Sequence, residues 1–266
     1  MGHEVLQGPR FAMMLEPVAH YPFVDDPLFT KRFQRMLGYR RAWDAQITYL
    51  PPVEALHVQA IEWSSRPGLV ASFISNCEDA NNNRLDLLKH LIEKAGADSF
   101  GRCLQTQALP AVADGDEGAR GRQRRDLMRR YRFVVAFENT NDVDYVTEKV
   151  FDALSSGAVP VYLGADNLAE YLPARDAAMF VSDFKTPAAL IAHLHEVGRD
   201  ESKWLEYHQW RKDPVALSKY TALAAATSRD HLGCIVCRLV HQEALLGPRT
   251  SDKAITNAEQ DADQAT

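Results

Sequence analysis

Tyr131-Arg-Phe-Val-Val-Ala-Phe-Glu-Asn-Thr-Asn-Asp-Val-Asp-Tyr-Val-Thr-Glu-Lys149 reads as a buried strand, then a polar loop, then the first turn of a helix that carries a lysine. The strand is placed at 133–137. The helix is placed at 147–156, with Val150, Phe151, Ala153 and Leu154 facing inward and Gly157 ending it. Unpaired N–H groups and the positive end of the helix dipole favour an anion at such a junction, and a lysine adds a full charge. The stretch therefore predicts an enzyme that handles a nucleotide diphosphate.

Working outward, 159–163 (VPVYL) is the next strand, followed by a helix at 167–172, a strand at 178–181 and helices at 187–197 and 201–210. Upstream, 69–75 (LVASFIS) is a buried-strand run and 76–83 a polar turn. A helix at 84–95 follows, on the spacing of Leu85, Leu87, Leu88, Leu91 and Ile92, with Gly96 as its C-cap and a short strand at 98–101. Strands alternating with helices predict an α/β fold, a parallel sheet covered on both faces. Residues 111–125, rich in Gly, Asp and Arg without apolar period, read as a surface loop. Near the N-terminus, 10–15 reads as a strand, 16–27 as a proline-bearing loop, 28–38 as a helix and 46–50 as a strand; 248–266 reads as a disordered tail.

Composition bounds the function. The chain has 266 residues, enough for one large or two modest domains, and its net charge of −6 argues against a nucleic-acid partner. The arginines between Arg120 and Arg130 then read as a solvated face. No apolar run reaches bilayer length. Neither a G-x-G-x-x-G after a strand nor a G-x-x-x-x-G-K-[ST] occurs, so a dinucleotide dehydrogenase and a P-loop ATPase both lose support.

In open α/β sheets ligands bind beyond the carboxyl ends of the strands. Two such ends stand out: Ser75-Asn76-Cys77 with Arg84 downstream, and Glu138-Asn139 followed by Tyr145, Glu148 and Lys149. Arg84 and Lys149 are expected to clamp one diphosphate from two sides. Glu148 suits sugar hydroxyls, and Asn139 and Tyr145 orient through neutral hydrogen bonds. Taken singly, an arginine or a Glu-Lys pair in a first helical turn is more often surface than site; their joint position at strand ends raises the functional reading. Asp142-Val-Asp144 spells a D-x-D that can hold a divalent ion, but aspartate is favoured in turns anyway and the two cations already neutralise a diphosphate, so no metal is expected.

These residues resemble a known family. Phe137-Glu-Asn-Thr, Asp144-Tyr-Val-Thr-Glu-Lys149 and Gly157-Ala-Val-Pro-Val-Tyr-Leu-Gly164 resemble the donor-site signature of the alpha-1,3-fucosyltransferases, glycosyltransferase family 10. So do Ile74-Ser-Asn-Cys77, Phe100-Gly-Arg-Cys103, Trp210-Arg-Lys-Asp213, Leu15-Glu-Pro, Tyr39-Arg-Arg-Ala-Trp-Asp44 and the pair Cys234 and Cys237. The flavour is that of the plant-like core fucosyltransferases. The loop at Glu16 departs from the family pattern, reading Glu-Pro for Glu-Ser-Pro.

The resemblance implies a GT-B-type fold and an inverting transfer of L-fucose from GDP-fucose to the 3-hydroxyl of GlcNAc in a glycoprotein or glycolipid glycan. It makes Glu16 the general base, Arg84 and Lys149 the diphosphate clamp, and Asn76, Asn139, Tyr145 and Glu148 donor-site residues. It also implies a Golgi-lumenal location with a membrane anchor, and no required cofactor, manganese stimulation being left open. Since 15 residues precede Glu16, the chain is expected to be N-terminally truncated: 1–62 a remnant of an acceptor domain, 63–246 the donor domain, 247–266 the tail. In an oxidising lumen Cys234 and Cys237 are expected to pair, and Cys77 and Cys103, which follow successive strands, are expected to be neighbours. Spacing gives little support to a four-cysteine zinc site. Two other readings stay open: a different nucleotide-sugar transferase of the same fold, and a non-catalytic module that binds the donor sugar nucleotide or a glycan.

Overall fold

The computed structural model describes residues 10–56, 62–78, 80–110 and 116–246. These form two compact units: one from Thr48 to Ser228, the other from the residues up to Ile47 together with those from Arg229 onward. The division differs from the expected boundary at 62/63 because 48–56 is tied to the larger unit. Thr48 N–H donates to the Thr227 carbonyl at 2.7 Å, Ser228 Oγ to Leu50 O at 2.7 Å, and Tyr220 OH to Pro51 O at 2.9 Å.

The smaller unit holds a three-stranded parallel sheet in the order β1 (Phe11–Met14), β2 (Arg35–Gly38), β3 (Ala45–Gln46). Between β1 and β2 lies α1 (Pro27–Thr30), one turn long, with the Asp26 carboxylate accepting the Leu28 N–H at 2.8 Å. The helix expected at 28–38 is thus corrected: its second half is β2. Every residue of β2 is buried, and a short buried segment such as Arg35-Met-Leu-Gly38 fits a parallel-sheet strand as well as it fits a helix.

The larger unit carries the sheet that matters for function. Its strands are β4 (Gly68–Ser72), β5 (Asp98–Ser99), β6 (Tyr131–Phe137), β7 (Val159–Leu163) and β8 (Met179–Phe180), all parallel, in the order β5-β4-β6-β7-β8. Alternate side chains of β6 enter different cores. Phe133, Val135 and Phe137 join Val70 and the helices α2 (Arg84–Ala95) and α5 (Pro187–Gly198) through Leu88, Leu91, Leu190 and Leu194. Val134 packs with Met128 of α3 (Glu117–Met128), and Ala136 with Val150, Phe151 and Leu154 of α4 (Glu148–Ser156). That period of two is why the strand reads as continuous hydrophobic sequence. Gly96 and Gly157 end α2 and α4 in the left-handed region, at φ 65° and 74°, the geometry glycine adopts without penalty.

Four other expectations change. The segment read as a loop at 111–125 is helical from Glu117, capped by the Asp116 carboxylate on the Ala119 N–H at 2.7 Å; residues 111–115 lie outside the described residues. The helix expected at 167–172 is a single 3-10 turn, Leu168–Glu170. The one at 201–210 splits into α6 (Glu201–Glu206) and a 3-10 turn. Beyond it, α7 (Pro214–Thr227) and α8 (Leu232–Leu246) were not anticipated. In the smaller unit α8 covers the sheet, Ile235 and Leu239 packing on Leu37 and Ile47. The tail expected at 248–266 lies outside the described residues. Among the described residues no helix is long and apolar enough to cross a membrane.

Candidate functional site

The strand order reverses between β4 and β6: from β4 the chain passes to β5 on one side, and it returns to lay β6 on the other. At such a switch point the loops after two adjacent strands diverge and leave a crevice. The loop after β4 supplies Asn76; the loop after β6 supplies Glu138 and leads to α4.

Arg84, in the first turn of α2, is buried and spans this gap. Its Nη2 donates to the Asn76 carbonyl at 2.5 Å and its Nη1 to the Phe137 carbonyl at 3.4 Å, while its Nε is buried without a partner. Burial lowers its pKa, and the nearby Glu138 and Tyr145 oppose that. Lys149 comes from the first turn of α4, and its Nζ donates to Glu138 Oε2 at 2.9 Å and to Thr147 Oγ1 at 2.8 Å. Burial alone would lower the pKa of this ammonium; Glu138 and Glu148 outweigh it, so the net shift is upward.

Glu138 was not anticipated as a site residue. Its side chain is fully buried, and its carboxylate accepts the Thr147 N–H at 2.8 Å, the Thr147 hydroxyl at 2.8 Å and the Lys149 ammonium. Thr147 is the N-cap position of α4 but makes no side-chain cap of its own, so the Glu138 carboxylate sits where the dipole favours negative charge. A glutamate one residue past a buried strand was the available signal. Gly164 leaves room for it: a Cβ there would stand 2.7 Å from Glu138 Cγ and 2.5 Å from the Tyr162 hydroxyl.

Four of the expected donor-site residues, Asn76, Arg84, Glu148 and Lys149, line one cavity of about 200 Å³. Phe73, Ile74, Met128 and Val135 give it apolar walls, and Arg124 and Asp152 line it as well. The two cations expected to meet a diphosphate are therefore on the same cavity. Asn139 and Tyr145 are buried and are not among its lining residues; Asn139 Oδ1 has no partner. Glu16 is exposed in the smaller unit, two residues past β1. A larger cavity of about 360 Å³ lies between α2 and the start of α5, across the Asn82–Asn141 hydrogen bond. None of the expected site residues lines it, so its size gives it no claim on the diphosphate.

Asp144 of the D-x-D has a structural task. It adopts φ 68°, and its Oδ1 accepts from Asn167 Nδ2 at 2.8 Å and from the Tyr171 hydroxyl at 2.6 Å. Among the described residues no group of three or more His, Cys, Asp or Glu is arranged to hold a metal ion.

Cys77 and Cys103 form a disulfide, with Cα atoms 5.5 Å apart. The bridge expected between Cys234 and Cys237 is corrected: both are free and exposed. They stand at i and i+3 on α8, where Cβ atoms are about 5–6 Å apart, against roughly 3.8 Å in a disulfide.

A parallel sheet whose strand order reverses over a crevice defines an open α/β protein of the doubly wound kind. The description "Glycosyltransferase family 10 (fucosyltransferase) C-term" matches residues 63–256, and the chain belongs to that family. It is similar to GDP-fucose protein O-fucosyltransferase 3 of Xenopus tropicalis, 28% identical over 70% of this chain and 42% of that one. It is also similar to alpha-(1,3)-fucosyltransferase B of Drosophila melanogaster, 28% identical over 80% of this chain and 51% of that one. The chain thus spans about half the length of these relatives. A crystal structure of an alpha1,3-fucosyltransferase with GDP-fucose superposes with a TM-score of 0.59 at 16% identity, over 77% of this chain and 67% of that one. That likeness concerns the fold alone, an α/β fold of GT-B type.

Proposed function

We propose that the larger unit binds GDP-fucose and that the protein moves L-fucose from it to an acceptor hydroxyl. One observation carries this: Arg84 and Lys149, from the first turns of two different helices, line the same cavity at the switch point. In the proposed reaction the acceptor oxygen forms a bond to the anomeric carbon of fucose as the bond to the diphosphate oxygen breaks, with inversion. GDP takes the electron pair, and Arg84 and Lys149 stabilise its negative charge. Glu16 takes the acceptor proton, and Glu148 holds the ribose hydroxyls. With two cations at the leaving group no divalent ion is required; full activity in EDTA is the expected outcome, and its loss would overturn this point.

The proposed acceptor is the 3-hydroxyl of GlcNAc in a glycan, in keeping with the alpha-(1,3)-fucosyltransferase relative. The likeness to a protein O-fucosyltransferase favours a second reading, with a hydroxyl of a polypeptide as acceptor. We also propose a Golgi-lumenal location; the Cys77–Cys103 disulfide supports an oxidising compartment. Calorimetry with GDP tests the donor site. Lys149→Ala should weaken GDP tenfold or more, the loss of one charge-assisted contact of about 1.5–3 kcal/mol; an unchanged affinity sinks the clamp. Incubation with GDP-fucose and either GlcNAc-terminated oligosaccharides or polypeptides then identifies the acceptor. Binding without transfer to either would favour a non-catalytic module.

A further inference from the structure

Asp152 lies one turn along α4 from Glu148 and lines the same cavity as Arg84 and Lys149. Residues three and four apart share a helix face, so Glu148, Lys149 and Asp152 present a row of polar groups. The Asp152 carboxylate is largely buried and is held by two arginines of α3: Arg124 Nη2 meets Oδ2 at 2.6 Å, and Arg125 Nη1 meets Oδ1 at 3.5 Å. One arginine per oxygen fixes the carboxylate plane. A carboxylate has about four acceptor sites, so each oxygen keeps capacity for another donor. The walls beside it, Phe73 and Met128, are apolar, and Arg124 also lines an adjoining cavity of about 350 Å³ with Phe73 and Ser75. A flat ring with two adjacent donors on its edge fits such a place.

Guanine has that edge. Its N1–H and 2-amino group are parallel donors that a carboxylate accepts together, as it does an arginine fork. Adenine presents an acceptor nitrogen at the same point, which a carboxylate repels. Resting on the donor-site reading above, we propose that Asp152, oriented by Arg124 and Arg125, is the residue that selects guanine over other bases. The diphosphate then lies at Arg84 and Lys149, the ribose at Glu148 and the base one helical turn further, about 5.4 Å along the axis.

The test titrates the full chain with GDP, IDP (no 2-amino group), XDP (a 2-oxo group) and ADP. Wild type should prefer GDP to IDP about tenfold and to ADP by more. Asp152→Asn should weaken GDP at least tenfold and strengthen XDP, whose 2-oxo group accepts from the new amide. ADP affinity equal to wild type would show the variant site intact. A wild type that binds all four nucleotides alike overturns the role of Asp152 while leaving the diphosphate clamp standing. So does an Asp152→Asn variant whose GDP-to-XDP ratio is unchanged. A wild type that binds none of them overturns the donor site itself and this inference with it.

Discussion

Glu138 connects the sheet to the site more directly than either cation does. Its carboxylate is fully buried, yet it holds the N-terminal turn of α4 and aims Lys149. Glu138→Gln would set an amide against the ammonium and remove its counter-charge. Losing a charged hydrogen-bond partner costs about 1.5–3 kcal/mol, and Lys149, 31% exposed with Glu148 at 3.9 Å, keeps solvent and a second carboxylate; urea denaturation should show a loss of that order, and GDP affinity should fall with it. A variant with wild-type stability would mean that the Thr147 contacts alone hold the turn. His208 contributes to the response to acid. It is buried against Trp204 at 4.2 Å, its Nε2 has no partner, and burial together with Arg211 and Arg66 lowers its pKa to about 3. A pKa depressed on folding gives stability that is complete above the unfolded value near 6.5 and is lost as pH falls toward 3. Between pH 7 and 5 the loss is about 2 kcal/mol. Melting temperatures across that range should fall in the wild type, and more shallowly in His208→Gln.

At the scale of elements, α4 is fastened at both ends. Its first turn meets Glu138; its last carbonyls meet two arginines, Arg66 buried and Arg211 partly buried. Arg66 donates to Ser156 O at 2.9 Å and Tyr131 O at 3.0 Å, and Arg211 to Leu154 O at 2.7 Å and to Leu56 O. Cations complement the negative end of a helix dipole, and these guanidiniums stay in place although burial draws their pKa values to about 10 and about 9. Arg211→Ala leaves two carbonyls short of a donor and should cost about 2–4 kcal/mol by chemical denaturation. A cost below that would show water replacing the guanidinium.

The signals for α2, α4, β6 and β7 were local, namely apolar period and terminal glycines, so those elements were legible in the sequence. The signal for β2 was ambiguous, because Met36 and Leu37 satisfy either period. α3 was hidden because its inward contacts include Arg124 and Arg125 on Asp152, an attraction that hydrophobic spacing does not register. α7 had a readable start, Asp213-Pro214, whose carboxylate caps Val215 N–H at 2.9 Å. The cavity lining was legible at Asn76, Arg84, Glu148 and Lys149 because they flank strand ends. Asp152 and Arg124 were not, since their meeting depends on how α3 packs beside α4.

For the whole molecule, the switch point needs its two loops held in place. Arg84 joins them by hydrogen bonds, and the Cys77–Cys103 bridge ties the β4 loop, next to Asn76, to the segment after β5. Closing a loop of 26 residues is worth about 3.5 kcal/mol. Cys103→Ser should lower the melting temperature accordingly and weaken GDP by loosening Asn76. Alkylation of native wild type without reductant should label Cys234 and Cys237 and spare the other two; labelling of all four would show the bridge absent. A practical matter follows for anyone preparing this protein. Expression in a reducing bacterial cytosol, or storage with dithiothreitol, would yield material with a slackened nucleotide loop, and two laboratories could report different affinities for one amino-acid sequence through buffer choice alone.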